Sequence, residues 1–332
     1  MSARSELLAF YRKHRRDLPW RRTRDPYAIW VSEIMLQQTQ VDTVVPRYHK
    51  FLAEFPTVQA LAAATEIQVC EAWAGLGYYR RARHLHQAAR QVVQAHGGAL
   101  PQDVAALRRL AGIGRYTAGA VASIAFGMAV PLVDGNVERV LSRLHALSAP
   151  PTQTLWALAE ELVHGPHPGD LNQALMELGA TVCTPRAPRC DACPWKARCR
   201  GRANPLAYPA PRVRAERAVL RVAFAWLASP EGVWLMRRPL DGLWAGLWEL
   251  PSAGDKKTLA ARYGALAGPL ATVRHDLTHR RVLARLYQPR ALPPLVQTDG
   301  FMPYRDPTTA PLSGLARKMI DVAARCVVGG NL

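Results

Sequence analysis

Apolar residues recur at three- and four-residue intervals through residues 5–200, which predicts one helix after another. The interruptions fall at Pro19, Pro26, Pro56, Gly97-Gly98, Pro131, Pro150-Pro151 and Pro166, where a helix loses a backbone donor or gains left-handed freedom. Residues 203–214, "ANPLAYPAPRVR", carry three prolines and no period, the pattern of a linker. Beyond it the period changes. "AVLRVAFAWLA" and "VWLM" are strand-like on either side of the turn "SPEG", and "RRVLARLY" alternates at period two. "TLAARYG" and "GLARKMIDVAARC" return to helical spacing. The fold class expected is a mainly α N-terminal domain (1–202), a linker (203–216) and a smaller α/β domain (217–332).

Length agrees with this division, since 332 residues exceed what one core usually organises. No apolar run approaches the roughly 20 residues of a membrane helix. The opening "MSARSELLAFYRKHRRDLPW" has neither a long apolar segment nor a small-residue cleavage site, so it reads as mature protein rather than a signal peptide. Charge adds a partner class. Lys and Arg number 43 against 25 acidic residues, a net +18, and the excess is mostly Arg, whose fork matches phosphate. An arginine-favouring codon bias is the plainer explanation; nucleic-acid binding stands ahead of it.

Six cysteines are present, and a disulfide framework is not expected in a long chain without a secretion signal, which points to the cytoplasm. Cys70 and Cys326 sit in helical patterns and read as packed. The other four, Cys183, Cys190, Cys193 and Cys199, have the spacing C-x6-C-x2-C-x5-C, which suits a metal centre and leaves zinc and iron–sulfur both open. Arg186, Arg189, Lys196, Arg198 and Arg200 on the same loop make it a candidate DNA-facing device.

"LRRLAGIGRYTAGAVA" reads as helix, tight turn, helix. Gly112 and Gly114 are expected to allow positive φ and close backbone approach, and N–H groups at the following helix start form an anion nest. Such a helix–hairpin–helix grips phosphate without reading sequence. Asp134, twenty residues after Gly114, precedes "NVERVLSRL" and is placed as a helix N-cap, a role that also aims its carboxylate.

The order of hairpin, "VDGNV" and cysteine loop resembles the DNA glycosylase superfamily that includes endonuclease III. With "VSEIMLQQTQV" (31–41), "GLGYYRRAR" (75–83) and "NQALMELGATVC" (172–183), the chain is identified as a member of the adenine DNA glycosylases, the MutY family, over residues 18–200. The resemblance implies a structural [4Fe-4S] cluster on the four cysteines. It implies a monomeric enzyme of base excision repair acting on double-stranded DNA with adenine opposite 8-oxoguanine or guanine, on the nucleoid, with no membrane partner.

The same resemblance assigns roles. Relatives that also cut the strand carry a lysine where this chain has Tyr116, and a phenol cannot form a Schiff base, so a monofunctional glycosylase is implied. Tyr116 would lie along the sugar of the extruded nucleotide. Glu33 matches the general acid, and its apolar neighbours Ile29, Trp30, Ile34 and Met35 favour the protonated form. Asp134 would stabilise the cationic sugar, with Asn136 positioning it. Gln173 would face the adenine edge, Tyr78 would wedge into the stack, and Gln38 and Thr39 would lie near the opposite base. Arg21, Leu36, Gly112 and Gly114 complete the expected substrate and DNA contacts. Arg80, Arg81 and Arg83 favour a DNA-facing loop after Tyr78.

"RRPLDGLWAGLWELP" and "RHDLTH" resemble the family's second, Nudix-like domain, and Thr278 and His279 would sense 8-oxoguanine. "DKKTLAARYG" lacks the glutamates of a Nudix hydrolase, so recognition rather than hydrolysis is implied. Three positions depart from the family pattern: Ala111 for a hairpin proline, Glu138 for a basic residue and Leu277 for a loop aromatic. Two rival readings are a glycosylase for thymine opposite guanine and a non-catalytic, zinc-stabilised DNA-binding protein.

Overall fold

The computed structural model describes residues 2–211, 216–239, 242–277, 280–298 and 300–328. Thr278 and His279 lie outside the described residues. The chain divides into two compact units, Met1–Val69 with Arg81–Val213, and Cys70–Arg80 with Arg214–Leu332.

The helices of the N-terminal part are α1 (Ala3–His14), α2 (Pro26–Leu36), α3 (Val41–Glu54), α4 (Val58–Ala63), α5 (Glu66–Ala72), α6 (Arg80–Ala95), α7 (Val104–Arg109), α8 (Arg115–Ile124), α9 (Gly135–His145), α10 (Thr152–Val163) and α11 (Pro168–Thr181). Their boundaries follow from local chemistry. Asp25 caps α2 through the N–H groups of Tyr27 and Ala28, with Pro26 at the first helical position, where a missing donor costs nothing. α2 is apolar almost all round and therefore central: every residue from Tyr27 to Met35 is buried. Pro46, which the pattern did not mark as an interruption, lies inside α3. One core joins Leu7 and Tyr11 of α1, Ile29 of α2, Leu141 of α9, Leu155 of α10, Leu171 and Leu175 of α11, and Trp195. The proline-rich stretch packs on this unit as far as Ala210: Arg143 Nε donates to the Tyr208 carbonyl at 3.0 Å, and the Ala210 N–H donates to the Ser148 carbonyl at 2.7 Å.

The turn between α7 and α8 corrects one expectation. Gly112 has φ +74°, and a Cβ there would come within 2.7 Å of the His84 Cβ, so this position needs glycine. Gly114 does not adopt positive φ. It is the extended N-cap of α8, at φ −86°, with nothing within 4 Å of where a Cβ would stand.

The C-terminal unit contains β1 (Ala218–Ala225), β2 (Ala228–Ser229), β3 (Gly232–Arg237), β4 (Trp248–Glu249), β5 (Ser252–Ala253), α12 (Lys256–Tyr263), β6 (Leu266–Asp276), β7 (Arg280–Pro289), β8 (Phe301–Tyr304) and α13 (Gly314–Val328). One sheet has the order β5-β1-β7-β6, with β1 and β7 parallel. The other runs β2-β3-β4, and β8 pairs with β3. Alternation sorts the first sheet's two faces. Phe224, Val282, Ala284 and Leu286 turn inward against Leu315, Met319 and Ile320 of α13. Ala223, Ala225 and Tyr287 turn outward and are covered by Leu259 of α12. Leu277, where the family pattern has an aromatic, is half-buried against the inner cluster. Among the described residues no helix is long and apolar enough to cross a membrane.

Candidate active site

A cavity of about 820 Å³ opens in the helical unit, lined by residues from α2, the hairpin, α8, α9 and α11. It gathers Arg21, Glu33, Leu36, Gln38, Thr39, Gly112, Gly114, Tyr116, Asp134, Asn136 and Gln173, which sequence pattern and resemblance had drawn from separate motifs. Tyr78 is not among its lining; it is 52% exposed with φ +49°, in the segment that groups with the C-terminal unit.

Glu33 is the one charged residue of α2 and only 4% exposed. The Tyr116 hydroxyl donates to its Oε2 at 2.7 Å and lies 3.3 Å from the Met176 Sδ. Burial pushes the Glu33 carboxyl up from 4.5 to about 7, against the Tyr116 hydrogen bond and helped by the charge of Asp134. Burial likewise raises the Tyr116 phenol well above its ordinary value, so it stays a donor.

Asp134 is both the N-cap of α9 and part of the cavity wall. Its Oδ1 accepts from the N–H groups of Asn136 and Val137 at 2.9 and 2.7 Å, and its Oδ2 accepts from Asn136 Nδ2 at 2.8 Å. The helix start favours negative charge at that point. Asn136 is held in turn: Arg139 Nη2 donates to its Oδ1 at 2.8 Å and to the Gly179 carbonyl at 2.8 Å. Gly179 allows this approach, since a Cβ there would stand 2.6 Å from the Asn136 Cβ.

Three residues that sequence reasoning missed, Glu177, Arg16 and Arg139, complete the frame, and Arg81 takes a role other than the one expected. Glu177 lines the cavity with a fully buried side chain, accepts from Arg16 Nε and Nη2 at 2.9 Å each, and accepts from Arg21 Nη2 at 2.8 Å. Burial alone would raise its carboxyl, but these guanidinium bonds outweigh it and hold it at about 2. Its place four residues after Gln173 on α11 was the available signal. Arg139, three residues after Asn136, had the same kind of signal. Arg81 departs from the DNA-facing role expected of it. Its Nη1 donates to the Ile34 and Met35 carbonyls at 2.7 and 2.9 Å and also bonds the Gln37 carbonyl, while its Nη2 donates to Thr39 Oγ1 at 3.0 Å. It therefore satisfies the orphan carbonyls at the end of α2. Gln38, at φ +57°, follows directly.

The four cysteines line one small cavity of about 30 Å³ with Arg143, Val182, Pro188 and Pro205. Arg143 Nη1 approaches Cys183 Sγ at 3.3 Å, and Cys199 Sγ donates to the Arg143 carbonyl at 3.3 Å. Arg139 Nε donates to the Cys183 carbonyl at 2.7 Å, joining this loop to Asn136. Among the described residues no three His, Cys, Asp or Glu side chains converge on a single ion position. The loop is pinned to α1 by Trp195 Nε1, which donates to the Ala3 carbonyl at 2.8 Å, and by an Arg198–Glu6 pair at 2.8 Å. Of the loop's basic residues, Arg189 donates to the Thr181 carbonyl at 2.7 Å, and it is exposed, as are Arg186 and Arg200.

Comparison with known proteins gives these features a context. Residues 31–165 match the model of the HhH-GPD superfamily base excision DNA repair protein, and residues 222–322 match a NUDIX domain. The adenine DNA glycosylase of Homo sapiens is 52% identical over 213 residues, 60% of this chain and 39% of that protein. The adenine DNA glycosylase of Mus musculus is 38% identical, with 86% of this chain and 70% of that protein aligned. The match thus spans less than half the length of the human relative. Among solved structures, a thermostable thymine-DNA glycosylase aligns with a TM-score of 0.57 and 34% identity, over 60% of this chain and 94% of that one.

Proposed function

The chain belongs to the adenine DNA glycosylase family, and from that premise we propose that it hydrolyses the N-glycosidic bond of adenine opposite 8-oxoguanine or guanine in duplex DNA, acting as a monomer. The observation that carries this reading is the buried Glu33 beside Tyr116, with Asp134 in the same cavity. Extruding a base from the stack costs a few kcal/mol (~2–4), and a cavity of this kind receives it. Because Tyr116 donates to Glu33 Oε2, the acidic proton of Glu33 is carried by Oε1. That proton passes to a ring nitrogen of adenine as the bond to the sugar breaks, and the bonding pair leaves with the base. Positive charge grows on the sugar, where the Asp134 carboxylate stabilises it until water adds, and the proton that the water gives up returns to the ionised Glu33. Asn136 and Arg139 fix the direction of Asp134; Glu177 fixes Arg21 at the cavity wall. Gln173 reads the adenine edge, and Gln38, Thr39 and Tyr78 serve the opposite base and the gap. Thr278 and His279 are proposed to detect 8-oxoguanine.

The donor set fits an iron–sulfur group on Cys183, Cys190, Cys193 and Cys199: four thiols line one small cavity, and thiolate is the ligand that holds a [4Fe-4S] cluster. When bound, that group supplies a covalent cross-link within the loop. Cys193→Ser is expected to lower iron content, solubility and DNA affinity together. Iron analysis and a binding isotherm check this, and full loading with parental binding would count against it.

Incubation with duplexes carrying A opposite 8-oxoguanine, A opposite G and T opposite G tests the function. Adenine release from the first two supports it. Thymine release alone would favour the activity named for the structural relative at 34% identity. Tyr116 bears on the reaction type. The parent should give no borohydride-trapped adduct with DNA, whereas Tyr116→Lys, which sets an amine within the same cavity, should yield some. A trapped parent would mean that another lysine already attacks the sugar.

A further inference from the structure

The outer face of the sheet β5-β1-β7-β6 is only half covered. α12 lies over Ala223, Ala225 and Tyr287 at one end. The register continues the same face away from α12 through Val219 and Arg221 on β1, Arg281, Leu283 and Arg285 on β7, and Arg274 and Asp276 on β6. Arg221, Arg274 and Arg285 are exposed and Arg281 is half-exposed. One acid, Asp276, stands among these four arginines. Arg274 Nη2 and Arg281 Nε donate to it at 3.0 and 2.9 Å, and Arg217 Nη1 lies 3.6 Å away. Among the described residues neither Arg221 nor Arg285 has an ion-pair partner.

We propose that this bare arginine face is a docking surface for the phosphate backbone of duplex DNA, in which phosphates compete with Asp276 for the guanidinium groups. The proposal rests on the reading that the chain works on duplex DNA. Charge selects the occupant. Arg281 and Arg285 are four residues apart, about 13 Å along the strand at about 3.3 Å per residue. A duplex carries one negative charge per about 1.7 Å, so on the order of eight pass over that length. Composition excludes two other occupants. Among the described residues, the part of the face beyond α12 has no Phe, Tyr or Trp on which single-stranded bases could stack, nor the aromatic anchor usual at a protein interface; Tyr287 lies buried under α12. Asp276 makes exposed ion pairs, each worth about 0–1 kcal/mol, which a polyanion can displace.

The full chain is titrated with a labelled, undamaged duplex between about 50 and about 200 mM salt, and log K is plotted against log salt. Arg221→Gln with Arg285→Gln should make the slope shallower by about 1.5–2, at about 0.9 per lost phosphate contact, and weaken binding at least about tenfold at 0.1 M. Arg290→Gln with Arg325→Gln, exposed and off this face, is the charge-matched control and should shift the slope by less than about 0.5. Asp276→Asn should act in the opposite direction, giving tighter binding and a steeper slope, because it frees its guanidinium partners. A merely structural Asp276 would weaken binding when replaced. An arginine pair that behaves like its control overturns the proposal, as does Asp276→Asn with unchanged or weaker binding; a face built for an acidic protein would give the same unchanged slopes. Adenine release by the parent is scored separately, so its absence would overturn the functional reading while the slopes alone decide this one.

Discussion

Glu33→Gln is expected to leave a protein that still grips mismatched duplex but releases adenine at least about a hundredfold more slowly, the usual scale of a lost general acid. The exchange keeps the shape and an acceptor for the Tyr116 hydroxyl while removing the proton that the reaction consumes. Single-turnover release beside a binding isotherm measures both halves, and excision within about tenfold of the parent would end the assignment. In the parent, release should decline as pH rises through about 7, where the raised carboxyl ionises. Stability has its own sign. Between 4.5 and about 7 the folded protein holds a proton that the unfolded chain has released, so folding weakens as pH rises across that window. Above it, a buried carboxylate is a standing cost. Glu33→Gln should therefore melt higher than the parent at about pH 8, and the gap should narrow toward about pH 5. A variant less stable than the parent at the higher pH would show that Glu33 contributes to the fold rather than opposing it.

Asp134→Asn separates two roles that one carboxylate performs. Asparagine caps a helix about as well as aspartate, so the bonds to the Asn136 and Val137 N–H groups can be retained; only the Asn136 Nδ2 bond loses its acceptor, and the melting temperature should fall modestly. What is lost is the charge beside the cationic sugar. Release should fall by about 10²–10³, the range seen when a preorganised electrostatic partner is removed. Near-parental release with an intact fold would mean that the cap is the whole role of Asp134 and that the sugar cation is stabilised by some other group.

The parts of this site that were legible in the sequence are those written in short spans. Glu33 stood out because a lone charge in "YAIWVSEIML" must be buried when the helix around it is apolar. Asp134 read correctly as a cap because capping is local. The period-two alternation of "RRVLARLY" already separated Val282, Ala284 and Leu286 from Arg281, Leu283 and Arg285. What could not be read spans the chain. Tyr116 meets Glu33 across 83 positions, and Arg16 meets Glu177 across 161. No local period encodes such pairs, because they depend on how helices cross. Arg81 misled for a related reason: an arginine in a basic stretch looks solvated until the carbonyls it caps are in view. Gly114 misled because glycine permits positive φ without requiring it.

Arg81 has a further consequence for how such a protein can change. The same guanidinium group closes the end of the helix that carries the acid and steadies the residues expected beside the opposite base. Pairing preference and turnover are thus tied to one hinge pin. A lineage, or a laboratory selection, that drifts toward a different opposing base by altering Gln38 or Thr39 will shift the support beneath Glu33 as well. New preferences should first arise in sluggish enzymes, and recovery of speed should come through second changes around the end of α2 rather than through the residues that touch the base.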